Sequence, residues 1–246
     1  MAKEVTAHVT LVQFTPNPEQ VIASAGKLCY ASDTTGIMEN SEEDSAKFIK
    51  MITRMGHLSV LEHASFTFYV EGVSRAMTHQ LVRHRLASYS QRSQRYVSHE
   101  SFDYIIPPQL QGKFIEIDGQ KVSAVEYYHK SMEAISGFYN NLNRALGDSG
   151  EKSNEDARYV LPNACETKIF VTMNVRELLH FIQERLCNRA QWEIRSVADQ
   201  MLTILREKLP SVFNMAGPKC VTTGKCPEGK LCCGKMAEVI QKYKVV

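Results

Sequence analysis

The chain has 246 residues, 43% of them hydrophobic and 23% charged, the composition of an ordinary globular protein with enough apolar side chains to bury a core. Its formal charge of +2 excludes a protein that coats nucleic acid or membrane through its overall field, so any anion site must be local. The opening residues, MAKEVTAHVTLVQF, lack the order of a secretory leader, and no run of about 18 apolar residues follows, so a soluble, cytoplasmic protein is expected.

In chain order, residues 7 to 14 (AHVTLVQF) read as a strand. Residues 42 to 56 read as a short helix ending at Gly56, a residue suited to the left-handed position beyond a helix C-terminus. Residues 65 to 71 alternate Phe66, Phe68 and Val70 with Ser65, Thr67 and Tyr69, the period of a half-buried strand. A helix is expected from Ser74 to about His84, with Val73, Ala76, Met77 and Leu81 on its apolar side.

The clearest helix runs from about Ser123 to Leu146, because Val125, Tyr128, Met132, Ile135, Tyr139, Leu142 and Leu146 recur at alternating steps of three and four. Such a seam packs either within its own domain or across an oligomer, and spacing does not choose. Lys168 to Met173 reads as a third strand. Asn174 and Glu177 form a capping-box pair that opens a helix with Val175, Leu178, Leu179, Ile182 and Leu186 on its apolar face. A last long helix covers Ala190 to Lys208 and stops at Pro210. These elements imply one mixed α and β domain over residues 1–217, followed by a Cys-rich tail over 218–246.

Seven cysteines, with Cys29, Cys165 and Cys187 scattered singly, do not form a secreted disulfide framework. Cys220, Cys226, Cys232 and Cys233 crowd the tail, but without the paired CxxC spacing of a zinc knuckle. An exposed, reduced loop with no metal is the expectation there.

Between Glu71 and Glu100 there is no acidic residue, yet Arg75, Arg83, Arg85, Arg92 and Arg95 all fall in that interval. Either these cations form a solvated face with distant carboxylate partners, or they build an anion pocket. The interleaved Ser88, Ser90 and Ser93 favour the pocket, since guanidinium forks and hydroxyls together satisfy phosphate oxygens. On a helix from Ser74, Gln80, Arg83 and His84 would share one side, bringing an amide beside a cation. No Gly-rich phosphate loop and no GxGxxG follows a strand, so neither a P-loop nor a Rossmann site is indicated. Tyr89 and Tyr96 keep a non-catalytic nucleotide- or RNA-binding protein as the rival reading.

The segment RHRLASYSQRSQR closely resembles the RHRxxSxNxxSxR signature of flavin-dependent thymidylate synthases. Arg83, His84, Arg85, Ser88, Ser93 and Arg95 fit it, and Ser90 stands where the signature has asparagine. LEHASFTFYVEGVSRAMTHQLVRHR before it, and ARYVLPNACETKIFVTMNVREL and NRAQWEI after it, extend the resemblance over about residues 5 to 215.

The resemblance implies an α+β fold, a twisted, mainly antiparallel sheet flanked by helices, in a homotetramer with active sites between subunits. It implies methylation of dUMP to thymidylate with methylenetetrahydrofolate as carbon donor and FAD reduced by NADPH, with release of tetrahydrofolate. Carried over residue by residue, it assigns FAD binding to Ser65, Arg83, His84, Arg85, Gln91, Asn174, Arg176 and His180. It assigns dUMP binding to Gln80, Arg83, Gln91, Ser93, Arg95, Arg158 and Arg185. The family activates the pyrimidine by stabilising negative charge on it, which makes Arg185 the catalytic candidate. Helical geometry adds that Arg185 lies roughly 80° from the centre of its helix's apolar face, and so is expected to be partly buried. The structural alternative is that Arg185 pairs with a carboxylate such as Glu184 or Glu193 and only anchors its helix.

Overall fold

The computed structural model describes residues 3 to 244. Strand β1 (His8–Phe14) is followed by helices α1 (Pro18–Leu28) and α2 (Glu42–Arg54), strand β2 (Ser65–Ser74), helix α3 (Arg75–Leu81) and strand β3 (Ala87–Gln91). A two-stranded hairpin, β4 (Phe114–Ile117) and β5 (Gln120–Ser123), runs into the long helix α4 (Ala124–Ala145) and the short α5 (Glu151–Ala157). Strand β6 (Glu166–Asn174) passes directly into α6 (Val175–Arg185), and α7 (Trp192–Lys208), α8 (Pro210–Phe213), α9 (Lys219–Thr223) and α10 (Met236–Tyr243) complete the chain.

The larger sheet has the order β1-β2-β6-β3. Its central pair is antiparallel: Thr67 Oγ1 lies 2.9 Å from Thr172 Oγ1 near one end, while Glu71 meets Lys168 at 3.1 Å toward the other. The result is the expected mixed α+β class with antiparallel sheets flanked by helices. Phe66, Phe68 and Val70 are buried, as their alternation requires. The strand continues past Glu71 because Gly72, at φ 64°, lets the backbone pass the Thr6 carbonyl; a Cβ there would sit 2.0 Å from that oxygen.

The chain divides into two compact units. One comprises Val70–Gln80 and Ser90–Ile169 with the N-terminal residues through His8, and the other Val9–Tyr69, Leu81–Tyr89 and the chain from Phe170 onward. The first unit is built on Phe102, Tyr104, Ile106, Met132 and Cys165, with Val125, Tyr128 and Ile135 of α4 packed against them. The apolar seam of α4 is thus divided. The part from Val125 to Ile135 closes this core and Tyr139 is buried with its hydroxyl 2.9 Å from Asn154 Oδ1, whereas Leu142 and Leu146 remain 42% and 43% exposed beside the exposed Phe138.

The second unit buries Leu178, Phe181 and Ile182 of α6 together with Ile194, Val197, Met201 and Leu205 of α7. The tail folds onto this unit: α10 buries Val239 and Tyr243, and Arg206 donates to the Tyr243 carbonyl at 2.5 Å. Cys232 and Cys233 are exposed, while Cys220 and Cys226 are partly covered.

One expected helix is shorter than its pattern. The stretch from Ser74 to about His84 is helical only over Arg75–Leu81, so Gln80, Arg83 and His84 do not share a helical face. Past Leu81 the His84 N–H turns to the Leu81 carbonyl at 3.1 Å, three residues back and not four, and the Tyr89 hydroxyl lies 2.8 Å from the carbonyl oxygens of Leu81 and His84 at this helix end.

Candidate functional site

After α3, the His84 N–H returns to the Leu81 carbonyl at 3.1 Å, closing a tight turn that leaves Arg83 and Arg85 exposed and His84 buried between them. The imidazole packs edge-on against Phe181 with ring centres 5.0 Å apart, and the His180 ring lies 5.6 Å away. An alternation of outward arginine, inward histidine and outward arginine therefore comes from one turn, not from helical spacing.

The two ring nitrogens of His84 are both engaged. Nδ1 lies 3.2 Å from Glu177 Oε1, and Nε2 accepts the Arg185 Nε–H at 3.0 Å. Glu177 is in the first turn of α6 and Arg185 is its last residue, about 12 Å further along the axis at 1.5 Å per residue. One imidazole thus bridges the two ends of a helix. Burial, with Arg185 and His180 close by, pushes the His84 pKa down to about 4, so the ring is neutral at physiological pH. Burial also raises the Glu177 carboxyl.

At the start of α6, Asn174 Oδ1 accepts the Glu177 N–H at 2.9 Å, the N-cap that its sequence announced. The glutamate of the capping box has a second use, because its carboxylate faces His84. Arg83, His84, Arg85, His180 and Arg185 line one cavity of about 500 Å³. Asn174, Arg176 and His180 line a larger one of about 880 Å³, with Leu58, Leu86 and Leu179 supplying apolar wall. Glu177 and His180 belong to both linings, so the cavities meet along α6. Arg176 is held by Glu62 at 2.5 Å on the rim. Ser65 begins β2, exchanges hydrogen bonds with Thr15, and lies outside both linings.

The first unit gathers a different set. Gln91 donates from Nε2 to Thr78 Oγ1 at 2.9 Å and to Thr167 Oγ1 at 3.2 Å, which fixes its amide. Ser93 Oγ accepts the backbone N–H groups of Arg95 and Tyr96, leaving its own O–H to donate. The Arg95 guanidinium meets Glu151 at 2.7 Å and Glu155 at 2.5 Å, and Arg158 Nε donates to the Glu155 carbonyl at 3.1 Å. Arg92 lies 3.9 Å from Glu166. For Arg92 and Arg95, then, the distant carboxylate partners of a charge run are present, supplied from residues 151 to 166. Gln80 also belongs to this unit.

Arg185 is partly buried, as its angular position requires, and its bond to His84 is one that sequence spacing could not reveal. Glu177, which the sequence assigned only to helix capping, also lines this site. Its signal, the third position of a capping box, is fully explained by helix initiation, so nothing local distinguishes a carboxylate with further duty. Among the described residues no three of His, Cys, Asp and Glu gather into a metal-binding group, and no helix is long and apolar enough to cross a membrane.

The family model described as "Thymidylate synthase complementing protein" matches residues 10–211. A flavin-dependent thymidylate synthase of Clostridium tetani is 47% identical over 98% of this chain and 98% of its own length. Another from Geobacter sulfurreducens is 49% identical over 96% of this chain and 97% of its own. The crystal structure of the UMP/dUMP methylase PolB from Streptomyces cacaoi, bound with 5-Br dUMP, superposes with a TM-score of 0.67 at 25% identity, covering 87% of this chain and 95% of that one. With a matched model spanning most of its length, relatives near half identity, and the arginine and histidine turn folded around Arg185, the chain belongs to the flavin-dependent thymidylate synthase family.

Proposed function

We propose that this chain is a flavin-dependent thymidylate synthase that converts dUMP to dTMP. The observation that carries the reading is the Arg185 guanidinium, aimed by a neutral, buried His84 into a cavity lined by further arginines. Methylation at C5 of uracil needs that carbon to become nucleophilic, either by addition of a cysteine at C6 or by stabilising negative charge on the ring. Burial pushes the Cys165 thiol up to about 11, which removes it as a nucleophile. Arg185 serves the second route: its fork of N–H donors stabilises charge developing on the pyrimidine, and it is the catalytic residue.

The donor set fits a flavin dinucleotide. Arg176 and His180 stand on α6 toward its N-terminal end, where the helix dipole favours an anion, and Arg83 and Arg85 add cations for phosphate. Apolar wall from Leu58, Leu86 and Leu179 suits a ring system. In this reading Ser65, Arg83, His84, Arg85, Gln91, Asn174, Arg176 and His180 hold FAD. Gln80, Arg83, Gln91, Ser93, Arg95, Arg158 and Arg185 hold dUMP, with the Ser93 hydroxyl as a donor and Arg95 released from Glu151 and Glu155 to grip phosphate. FAD supplies two-electron transfer when bound. NADPH is the electron source and methylenetetrahydrofolate the one-carbon donor: dUMP, methylenetetrahydrofolate, NADPH and a proton give dTMP, tetrahydrofolate and oxidised NADP, so tetrahydrofolate leaves unoxidised. The working form is a cytoplasmic homotetramer with residues of neighbouring subunits at each site, and residues 1–217 are the catalytic domain carrying the 218–246 tail.

The test is turnover. Purified protein should be yellow, its flavin should bleach with NADPH, and dUMP with methylenetetrahydrofolate should then yield dTMP and tetrahydrofolate. Colourless protein that takes up no added FAD, forms no dTMP and binds RNA would replace this reading with the binding-module one.

A further inference from the structure

We propose that Glu177 is a positioning residue for Arg185, acting through His84: its carboxylate fixes the imidazole in the Nδ1–H form so that Nε2 presents a lone pair to the guanidinium. The inference deepens the role assigned to Arg185 above and rests on it.

The protons available to the three side chains fix the tautomer. Arginine has donors and no acceptor, so an Arg185 Nε 3.0 Å from His84 Nε2 requires that nitrogen to be unprotonated. A neutral imidazole carries one proton, which must then sit on Nδ1, and Glu177 Oε1 at 3.2 Å is the acceptor for it. Both ring and carboxylate are nearly inaccessible, at 5% and 7% side-chain exposure, so water does not stand in for either partner. The remaining groups around the ring are unsuited to the task. His180 and Phe181 pack against it, Arg83 and Arg85 are donors like Arg185, and Glu184 shares the cavity without meeting either ring nitrogen at bonding distance.

Removing the acceptor at Nδ1 frees the ring to take its other tautomer or to flip. The first change sets an N–H, and the second a ring C–H, against the Arg185 N–H, and either removes its acceptor and turns the guanidinium away. Glutamine retains a carbonyl acceptor in the same place, whereas methionine has similar length and only a weakly accepting thioether.

The experiment compares holoenzymes of wild type, Glu177→Gln and Glu177→Met by turnover, flavin content and ¹⁵N spectra of histidine-labelled protein. The expected result is a fall in kcat on the order of tenfold to a hundredfold for Glu177→Met, the rate equivalent of one mismatched buried donor. Its KM for dUMP and its bound flavin should stay within about threefold of wild type, and Glu177→Gln should keep most of kcat, because the acceptor is retained. The spectra should show His84 neutral with Nδ1 protonated at pH 7 in wild type and Glu177→Gln, and mixed tautomers in Glu177→Met. Wild-type kcat in Glu177→Met, equal losses in both variants, or a wild-type His84 protonated on Nε2 would overturn the proposal. The wild-type spectrum decides the Glu177 to His84 relation even if Glu177→Met does not fold. Absence of dTMP from wild type with a normal spectrum would instead fault the enzymatic reading.

Discussion

Arg185 in one unit and Arg95 in the other are both tied down by the chain's own side chains, and by opposite means. Arg185 gives an N–H to a buried, uncharged imidazole, which orients the guanidinium without taking its positive charge. Arg95 faces two carboxylates, Glu151 and Glu155, with side chains more than 40% exposed, and its charge is compensated where it stands. The two arrangements suit different tasks. A neutral acceptor orients a cation without neutralising it, which suits stabilisation of charge that develops during a reaction. Exposed carboxylates hold one loosely until a stronger anion, a phosphate, displaces them.

The sharpest way to break this contrast is to remove Arg185. Arg185→Ala should lower kcat on the order of a hundredfold to a thousandfold, as loss of a preorganised charge-stabilising donor does, while the protein stays yellow. Arg185→Lys should also be poor, because an ammonium cannot reproduce the fork that meets His84 and substrate together. Normal turnover by the alanine variant would end the catalytic assignment. Arg95→Ala should act differently, raising KM for dUMP more than it lowers kcat.

A second effect follows from the neutral imidazole. An unfolded histidine titrates near 6.5, whereas burial holds His84 at about 4, so between those values the unfolded chain binds the extra proton. The stability contributed by this site is therefore full above pH 6.5 and lost as pH falls toward 4. Its ceiling is about 3 to 4 kcal/mol, from the interval between 6.5 and about 4 at about 1.4 kcal/mol per pH unit. Urea midpoints of wild type should fall more steeply between pH 7 and 5 than those of His84→Gln. Parallel curves would show that this histidine does not carry the dependence. The difference is needed because buried His99, whose pKa is also lowered, adds a slope of the same sign.

Smaller effects sharpen the comparison from the structural side. Asn174→Ala removes the cap of α6 and should cost about 1 kcal/mol, read as a lower melting temperature and weaker flavin retention. Replacing Glu151 and Glu155 together by glutamine should change stability by less than about 1 kcal/mol, as exposed ion pairs do. The same variant should tighten dUMP binding slightly if these carboxylates compete with phosphate, and the gain should fade at high salt.

Much of the fold was legible because it rests on period. The alternation at Phe66, Phe68 and Val70 gave a buried strand face, and the cap at Asn174 opened α6 where the pattern placed it. The expected helix through His84 shows the limit of that reading, since the helix ends at Leu81, where the His84 N–H closes a tighter turn and Tyr89, from the next strand, brings its hydroxyl to the Leu81 and His84 carbonyls. The α4 seam shows another limit. Its spacing is regular throughout, but Leu142 and Leu146 at its end are left exposed.

For the site, the sequence by itself determined which residue types were available: an arginine and histidine turn, a serine-rich strand, and a helix carrying Arg185. It also determined the family they resemble. Tertiary structure alone decided the partners, joining Glu177, His84 and Arg185 across 93 and 101 residues of chain, and Arg95 to carboxylates more than fifty residues on. The physical reason is range. Periodicity and capping are set by neighbours within a turn or two, whereas a buried proton inventory is settled only when distant segments exclude water and each donor must find its acceptor inside the protein.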